Sequence, residues 1–315
     1  MSPTAKSVIR FMLRTVAVAL PVVAVFVLWY VAVDPYKVVR DYDVYLPDPE
    51  AEPVRAGINK GLVTVSNFQK RVDEGHKYNA YIFGSSISCA YDVDHWKELL
   101  DSSATVHPYH FDSSGESLAS MARKVEWLDR GGHSIDYALV VLDPIVMASD
   151  HGSGPASVDP PQLHDGIWET VRYHYLFFRA ATNADFFKSW VPGKILNRPF
   201  RNGSNLLFEP QPIVYDPLSN QESIPQWDSI ISADPDAFYR DHALLPPADG
   251  LTVSAPVLTP EKQKALQRIA DVFESQHTDY QIIIGPNRRK VALNAVDMDT
   301  MRRFSRLGAS TISVR

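Results

Sequence analysis

Tyr78-Asn79-Ala80-Tyr81-Ile82-Phe83-Gly84-Ser85-Ser86-Ile87-Ser88 is a short apolar run that breaks off at a glycine followed by three closely spaced serines. The pattern predicts a buried strand over Tyr78 to Phe83 that delivers small hydroxyl side chains to a strand-to-helix turn. A residue just past the carboxyl end of a buried strand stands at the sheet's edge, which makes Ser86 the candidate nucleophile, with Ser85 beside it. Gly84 permits a tight turn and leaves room for a ligand. Taken alone, such a triplet is an ordinary turn, so its meaning depends on what surrounds it.

Downstream, the rhythm is that of a parallel sheet. A short helix is expected over Asp94 to Leu100 with Trp96, Leu99 and Leu100 as its apolar side, then a strand over Thr105 to Phe111. Ser113 and Glu116 have capping-box spacing for a helix start. Leu118, Met121, Ala122, Val125 and Leu128 repeat at helical spacing until Gly131-Gly132. Tyr137 to Leu142 is a fully apolar strand ending in Asp143-Pro144. The alternation resumes at Thr259-Pro260, an N-cap with proline at the first helical position. A strand Tyr280 to Ile284, a Gly285-Pro286-Asn287 turn, a helix over about Val296 to Leu307 closed by Gly308, and a strand Ser310 to Val314 complete it. The fold class expected is α/β: a three-layer parallel sheet flanked by helices, flavodoxin-like in layout.

Upstream, Thr15 to Val33 is apolar without a charged residue, interrupted only by Pro21, and long enough to cross a bilayer as a helix. Lys6, Arg10 and Arg14 precede it and no acidic residue appears before Asp34, so the N-terminus is expected in the cytoplasm and the rest outside. A cleaved signal peptide is the competing reading; the run exceeds a usual h-region and lacks a clear Ala-x-Ala site. The expected division is a tail over 1–14, an anchor over 15–33, a tether over 34–74 containing a short helix around Val63 to Val72, and an α/β domain over 75–315 with an insertion at about 147–258. Trp168, Tyr173, Tyr175, Phe177, Phe178, Phe186, Phe187 and Trp190 crowd that insertion, either as its own core or as a surface for glycan or membrane.

Composition narrows the chemistry. Of 315 residues 45% are hydrophobic, ample for a packed core. One cysteine, Cys89, excludes an intramolecular disulfide and a cysteine-based metal cluster. The ten histidines show no ligand spacing, and no metal or cofactor is expected. Formal net charge is −6 with no basic run outside the N-terminus, which speaks against nucleic acid as a partner. Lys6, Arg10 and Arg14 account for +3, so the exported part carries about −9 (−6 minus 3), which speaks against an anionic polymer as a tightly held, purely electrostatic ligand.

In an open parallel sheet, ligands bind outside the carboxyl ends of the strands. Ser85 to Ser88, His110 to Gly115, Asp143 to His151 and Gly285 to Arg289 should therefore meet at one edge. An acyl-transfer site needs a nucleophile, a base, a group orienting the base and oxyanion donors. Ser86 supplies the first, and backbone N–H groups at Ser86 and at Gly115 supply natural donors.

This order of motifs resembles the SGNH/GDSL hydrolase superfamily, and most closely its membrane-anchored cell-envelope branch of DltD-like and alginate-acetylation-like proteins. The likeness covers roughly Tyr78 to Leu142 and Thr259 to Val314. It implies Ser86 as nucleophile, Gly115 as second oxyanion donor and Asp143 where the superfamily places its Gly-x-Asn-Asp block, here without the asparagine. The superfamily's Asp-x-x-His pair, which follows its last core strand, is not found there. Asp92-Val93-Asp94-His95 has the spacing but lies at a helix start just after the serines. His151, with Asp150 beside it, follows the Asp143 turn and is the in-chain substitute for the base, or else a solvated loop histidine. His110 is similarly placed, or buried in support. Asp241-His242 lies in the insertion. Either the chain is a truncated version of a longer protein, or the domain binds rather than catalyses. The implied activity is a serine esterase or O-acetyltransferase on an envelope polysaccharide in a bacterial envelope. The alternative is a non-catalytic envelope protein that holds a glycan, or a partner such as a membrane acyltransferase.

Overall fold

The computed structural model describes residues 3–40, 59–100, 105–148, 154–188, 214–223, 225–236, 238, 252–285, 291–305 and 312–314. The chain divides into two compact units: Met1–Tyr42 with His174–Glu209, and Asp43–Tyr173 with Pro210–Arg315.

The larger unit is built on a parallel sheet. Strands β1 (Ala80–Gly84), β2 (Pro108–Asp112), β3 (Tyr137–Leu142), β7 (Asp279–Ile284) and β9 (Ile312–Val314) lie in the order β2-β1-β3-β7-β9, every neighbouring pair parallel. Counted within this sheet alone the order is 2-1-3-4-5, the flavodoxin-like order. The remaining short strands form two side ribbons: β4 (Val214–Tyr215) with β5 (Glu222–Ser223), antiparallel, and β6 (Thr252–Val253) with β8 (Val291–Ala292).

Side-chain alternation along the strands makes two cores. Tyr81, Phe83, Tyr109, Phe111, Val140, Leu142 and Ile282 point to one face. They meet α2 (Lys60–Asp73), α4 (Leu118–Arg130), α8 (Pro260–Ser275) and α9 (Ala295–Ser305) through Phe68, Met121, Leu128, Ile269, Phe273 and Met301. Ala80, Ile82, Leu139 and Val141 point to the other face, against Val93 and Trp96 of α3 (Val93–Glu98). The step from β1 to β2 runs opposite to all later steps, so crossovers of one handedness must place α3 on one face and α4, α8 and α9 on the other. The carboxyl ends of β1 and β3 therefore flank a topological switch point.

Several local expectations change. Helix α4 is capped by Ser117, whose side chain accepts from the Ser120 N–H, rather than by a Ser113/Glu116 box. Glu116 is instead fully buried in an ion pair with Lys124 Nζ at 2.6 Å, because an interior ammonium needs a carboxylate more than a helix end does. Leu99 is 83% exposed, since α3 stops at Glu98 and leaves it outside the apolar face. The helix placed within the tether runs Lys60–Asp73, and its Val65 and Phe68 are fully buried in the sheet's core. Thr259 caps α8 as expected, accepting from the Lys262 N–H.

The smaller unit holds α1 (Pro3–Val33), one helix long and apolar enough to cross a membrane: its segment Ser7–Val33 has mean hydropathy 2.6. Asp34, at φ 43°, ends it. The Asp34 carboxylate accepts from the N–H groups of Val38 (2.8 Å), Val39 (2.9 Å) and Arg40 (3.1 Å), while the Arg40 guanidinium donates to the carbonyls of Val31 (3.2 Å) and Ala32 (2.7 Å). Two of the orphan carbonyls of the last turn are thereby satisfied. Around this end the rings of the aromatic-rich segment gather: Phe187 lies 5.0 Å from Trp29, Phe178 5.8 Å from Tyr30, and Phe177 and Phe186 5.5 and 5.4 Å from Tyr36. Helix α6 (Ile167–Ala181), which carries several of these rings, belongs to this unit from His174 onward. Trp190 lies outside the described residues.

Candidate functional site

The serine turn is shaped by its first residue. A Cβ on Gly84 would sit 2.6 Å from Ser88 Cβ and 3.1 Å from the Val141 carbonyl, so only glycine fits where β1 ends. Ser85 then caps a single 3-10 turn, Ser86–Ala90, its hydroxyl accepting from the Ile87 N–H at 3.4 Å. Ser85 is 4% exposed and Ser88 fully buried, while Ser86 at the head of the turn is exposed. Among the described residues no side chain hydrogen-bonds to Ser86 Oγ.

The neighbouring segments do come to this edge. The Ser113 N–H donates to the Gly84 carbonyl at 3.2 Å, tying the turn after β2 to the end of β1. Gly115 occupies that turn at φ +61°, a conformation that favours glycine. Asp143 is buried at the end of β3, its carbonyl accepting from the Met147 N–H at 2.8 Å as α5 (Pro144–Ala148) begins. The Gly285 N–H donates to the Leu142 carbonyl at 2.7 Å, and a Cβ on Gly285 would lie 3.3 Å from the Ile87 side chain. His151, Asp150, Asp241, His242, Asn287 and Arg289 lie outside the described residues. Asp92 serves as the N-cap of α3, accepting from the N–H groups of Asp94 and His95, and His95 is exposed.

His110 is bonded to Ser88 rather than to Ser86. Its Nε2 lies 2.9 Å from Ser88 Oγ, whose single proton goes to the Ser85 carbonyl at 2.7 Å. Ser88 therefore accepts, and the hydrogen-bond network assigns the imidazole proton to Nε2. Burial pushes the His110 pKa below its ordinary value, which keeps the ring neutral at pH 7.

Beside this pair lies a cluster that no local pattern announced. Lys60 Nζ forms ion pairs with Asp112 and Glu222, stands 3.3 Å from Cys89 Sγ, and lies 5.7 Å from the centre of the Tyr215 ring. Asp112 is the register partner of Gly84, so the cluster sits directly behind the serine turn. Burial alone would raise the Asp112 carboxyl, but Lys60 and His110 hold it below the usual carboxylate range. Burial and the nearby Asp112 push the Cys89 thiol up, so it stays protonated and unreactive at neutral pH. The ligand atoms of Cys89, Asp112 and Glu222 lie within 4.8 Å of one another, a spacing able to hold a metal ion. Lys60 contacts all three, and its ammonium supplies the positive charge that a cation would bring.

The carboxyl ends of β1 and β3 thus present one exposed serine on a glycine-shaped turn, backed by a buried Ser88–His110 pair and a cluster in which one ammonium faces two carboxylates. Comparison with protein-family models, with curated proteins and with solved structures gives no match. What fold and site define is a class: an α/β domain with a parallel sheet and a serine-bearing turn at its switch point.

Proposed function

We propose that this chain is a membrane-anchored, extracytoplasmic serine esterase or O-acyltransferase of SGNH type that acts on a cell-envelope polysaccharide through Ser86. The observation that carries the reading is the exposed Ser86 hydroxyl at the switch point, just past the carboxyl end of β1. Ser86 Oγ attacks the acyl carbonyl and loses its proton to a base; the departing sugar hydroxyl takes up a proton as the ester bond breaks; water or a second hydroxyl then removes the acyl group from Ser86. Backbone N–H groups at Ser86 and Gly115 are the candidate donors to the oxyanion, and His151 is the candidate base. The length and apolarity of α1, with Lys6, Arg10 and Arg14 ahead of it in the sequence, support the reading that the larger unit works outside the cytoplasm. A fluorophosphonate probe on the intact protein labels Ser86, and Ser86→Ala abolishes both labelling and p-nitrophenyl acetate turnover, a loss of at least ~10³-fold. Turnover retained by the folded variant removes Ser86 from the mechanism.

A second reading draws on the commitment of His110 to Ser88, which leaves the one described imidazole of this edge unable to serve Ser86. In that case the domain is a non-catalytic envelope protein that holds a glycan, or a partner such as a membrane acyltransferase. A well-folded protein that resists the probe favours it.

A further inference from the structure

A cavity of about 280 Å³ opens in the larger unit beside the N-terminus of α4, with Ser117, Arg123, Asp159, His164, Glu169 and Arg172 in its wall. Its charges are matched inside the wall. Arg123 Nε donates to Asp159 at 2.7 Å, Ser120 donates to the same carboxylate, and Arg172 pairs with Glu169 at 3.3 Å. Burial and Arg123 lower the His164 pKa, so the ring adds no charge at pH 7. An anion entering here meets Asp159 and Glu169, a cation meets two guanidinium groups, and a hydrocarbon strips water from all of them without replacing it. A neutral polyol meets no such conflict, because each hydroxyl both donates and accepts. The volume falls just below the ~300–1,000 Å³ of pockets that hold drug-sized ligands, a size suited to one sugar ring.

The cavity shares a loop with the serine turn. Ser113 is bonded to the Gly84 carbonyl, a Cβ on Gly115 would lie 3.7 Å from the Ser157 side chain, and Ser117 reaches the cavity wall. Asn59 fixes the opposite side, its amide donating to the carbonyls of Pro155 at 3.0 Å and Val158 at 2.6 Å. We infer that this cavity is a subsite for one uncharged sugar residue of a glycan whose neighbouring residues run along the Ser113–Ser117 loop toward Ser86. The inference deepens the reading of Ser86 as a glycan-directed nucleophile and rests on it for the direction of the chain, while binding itself requires no catalysis.

The test uses the full-length protein in detergent micelles. Chitohexaose, maltohexaose and cellohexaose are titrated by saturation-transfer NMR beside the acidic oligomer hexagalacturonate. At least one neutral oligomer binds, more tightly than hexagalacturonate, and the Glu169→Ala/Arg172→Ala double variant weakens it by at least about tenfold. These two side chains are 39% and 60% exposed, so the variant folds, as its melting curve verifies. Absence of binding by all three neutral oligomers up to ~10 mM, equal binding by the folded double variant, or tighter binding of hexagalacturonate each overturns the inference. Fluorophosphonate labelling of the same samples separates the two claims: labelled protein that binds no sugar loses only the cavity, and sugar-binding protein that is never labelled loses only Ser86.

Discussion

Lys60 joins two carboxylates and a thiol behind the serine turn. Its ammonium is almost wholly out of water and is held there by Asp112 and Glu222. Replacing it with methionine leaves the buried Asp112 carboxylate and the half-buried Glu222 without their cation, and breaking a buried pair in this way costs about 3–5 kcal/mol. Thermal or denaturant unfolding of Lys60→Met measures this, and adding Asp112→Asn with Glu222→Gln recovers most of the loss. Asp112, with its pKa depressed in the folded state, contributes stability above its ordinary value of 3.8 that is lost as pH falls through the folded value. Glu116 behaves oppositely. Burial outweighs the attraction of Lys124 and raises its carboxyl from 4.5 to about 7. Between those values the folded form holds a proton that the unfolded form has released, so its contribution is full below about 4.5 and lost as pH rises through about 7. Melting temperatures across that window flatten in Glu116→Gln. The place of Ser86 at the head of an exposed turn after β1 was legible from sequence because strand, glycine and turn are contiguous. The Lys60–Glu222 pair was not, because 162 residues separate partners that no local periodicity connects.

Among the elements, the 3-10 turn depends on one missing side chain. Gly84→Ala drives a Cβ against Ser88 and the Val141 carbonyl, and overpacking of this kind costs about 1–3 kcal/mol. Lowered thermal stability together with lost probe labelling is the expected outcome, and an unchanged melting curve shows that the turn yields. Helix boundaries were legible where a cap and an apolar stripe agree, as at Thr259-Pro260. They were misread at Ser113 because capping-box spacing says nothing of where Glu116 goes once Lys124 is buried beside it. Helix α2 was underrated for a related reason: Val63, Val65 and Phe68 form a modest stripe whose value comes from the rings of Tyr81, Tyr109, Phe111 and Trp127 brought round Phe68 by the sheet.

At the scale of the whole molecule, the alternation of strand and helix revealed the parallel sheet, but the 2-1-3-4-5 order is a matter of crossover direction that residue patterns do not encode. The apolar helix was equally plain, while its partners in the smaller unit were not. If α1 is an anchor, the protein stays with the membrane pellet after alkaline carbonate washing and leaves it only with detergent; release by carbonate alone refutes an integral span. The glycine of the serine turn bears on relatives too distant for overall similarity. Because the space at Gly84 is filled by Ser88, and Ser88 in turn is bonded to His110, the three positions form a closed dependency. Descendants of this architecture should change them together or not at all, so Gly-x-x-x-Ser followed by a histidine two residues before an aspartate is a fingerprint for finding kin after the rest of the chain has drifted.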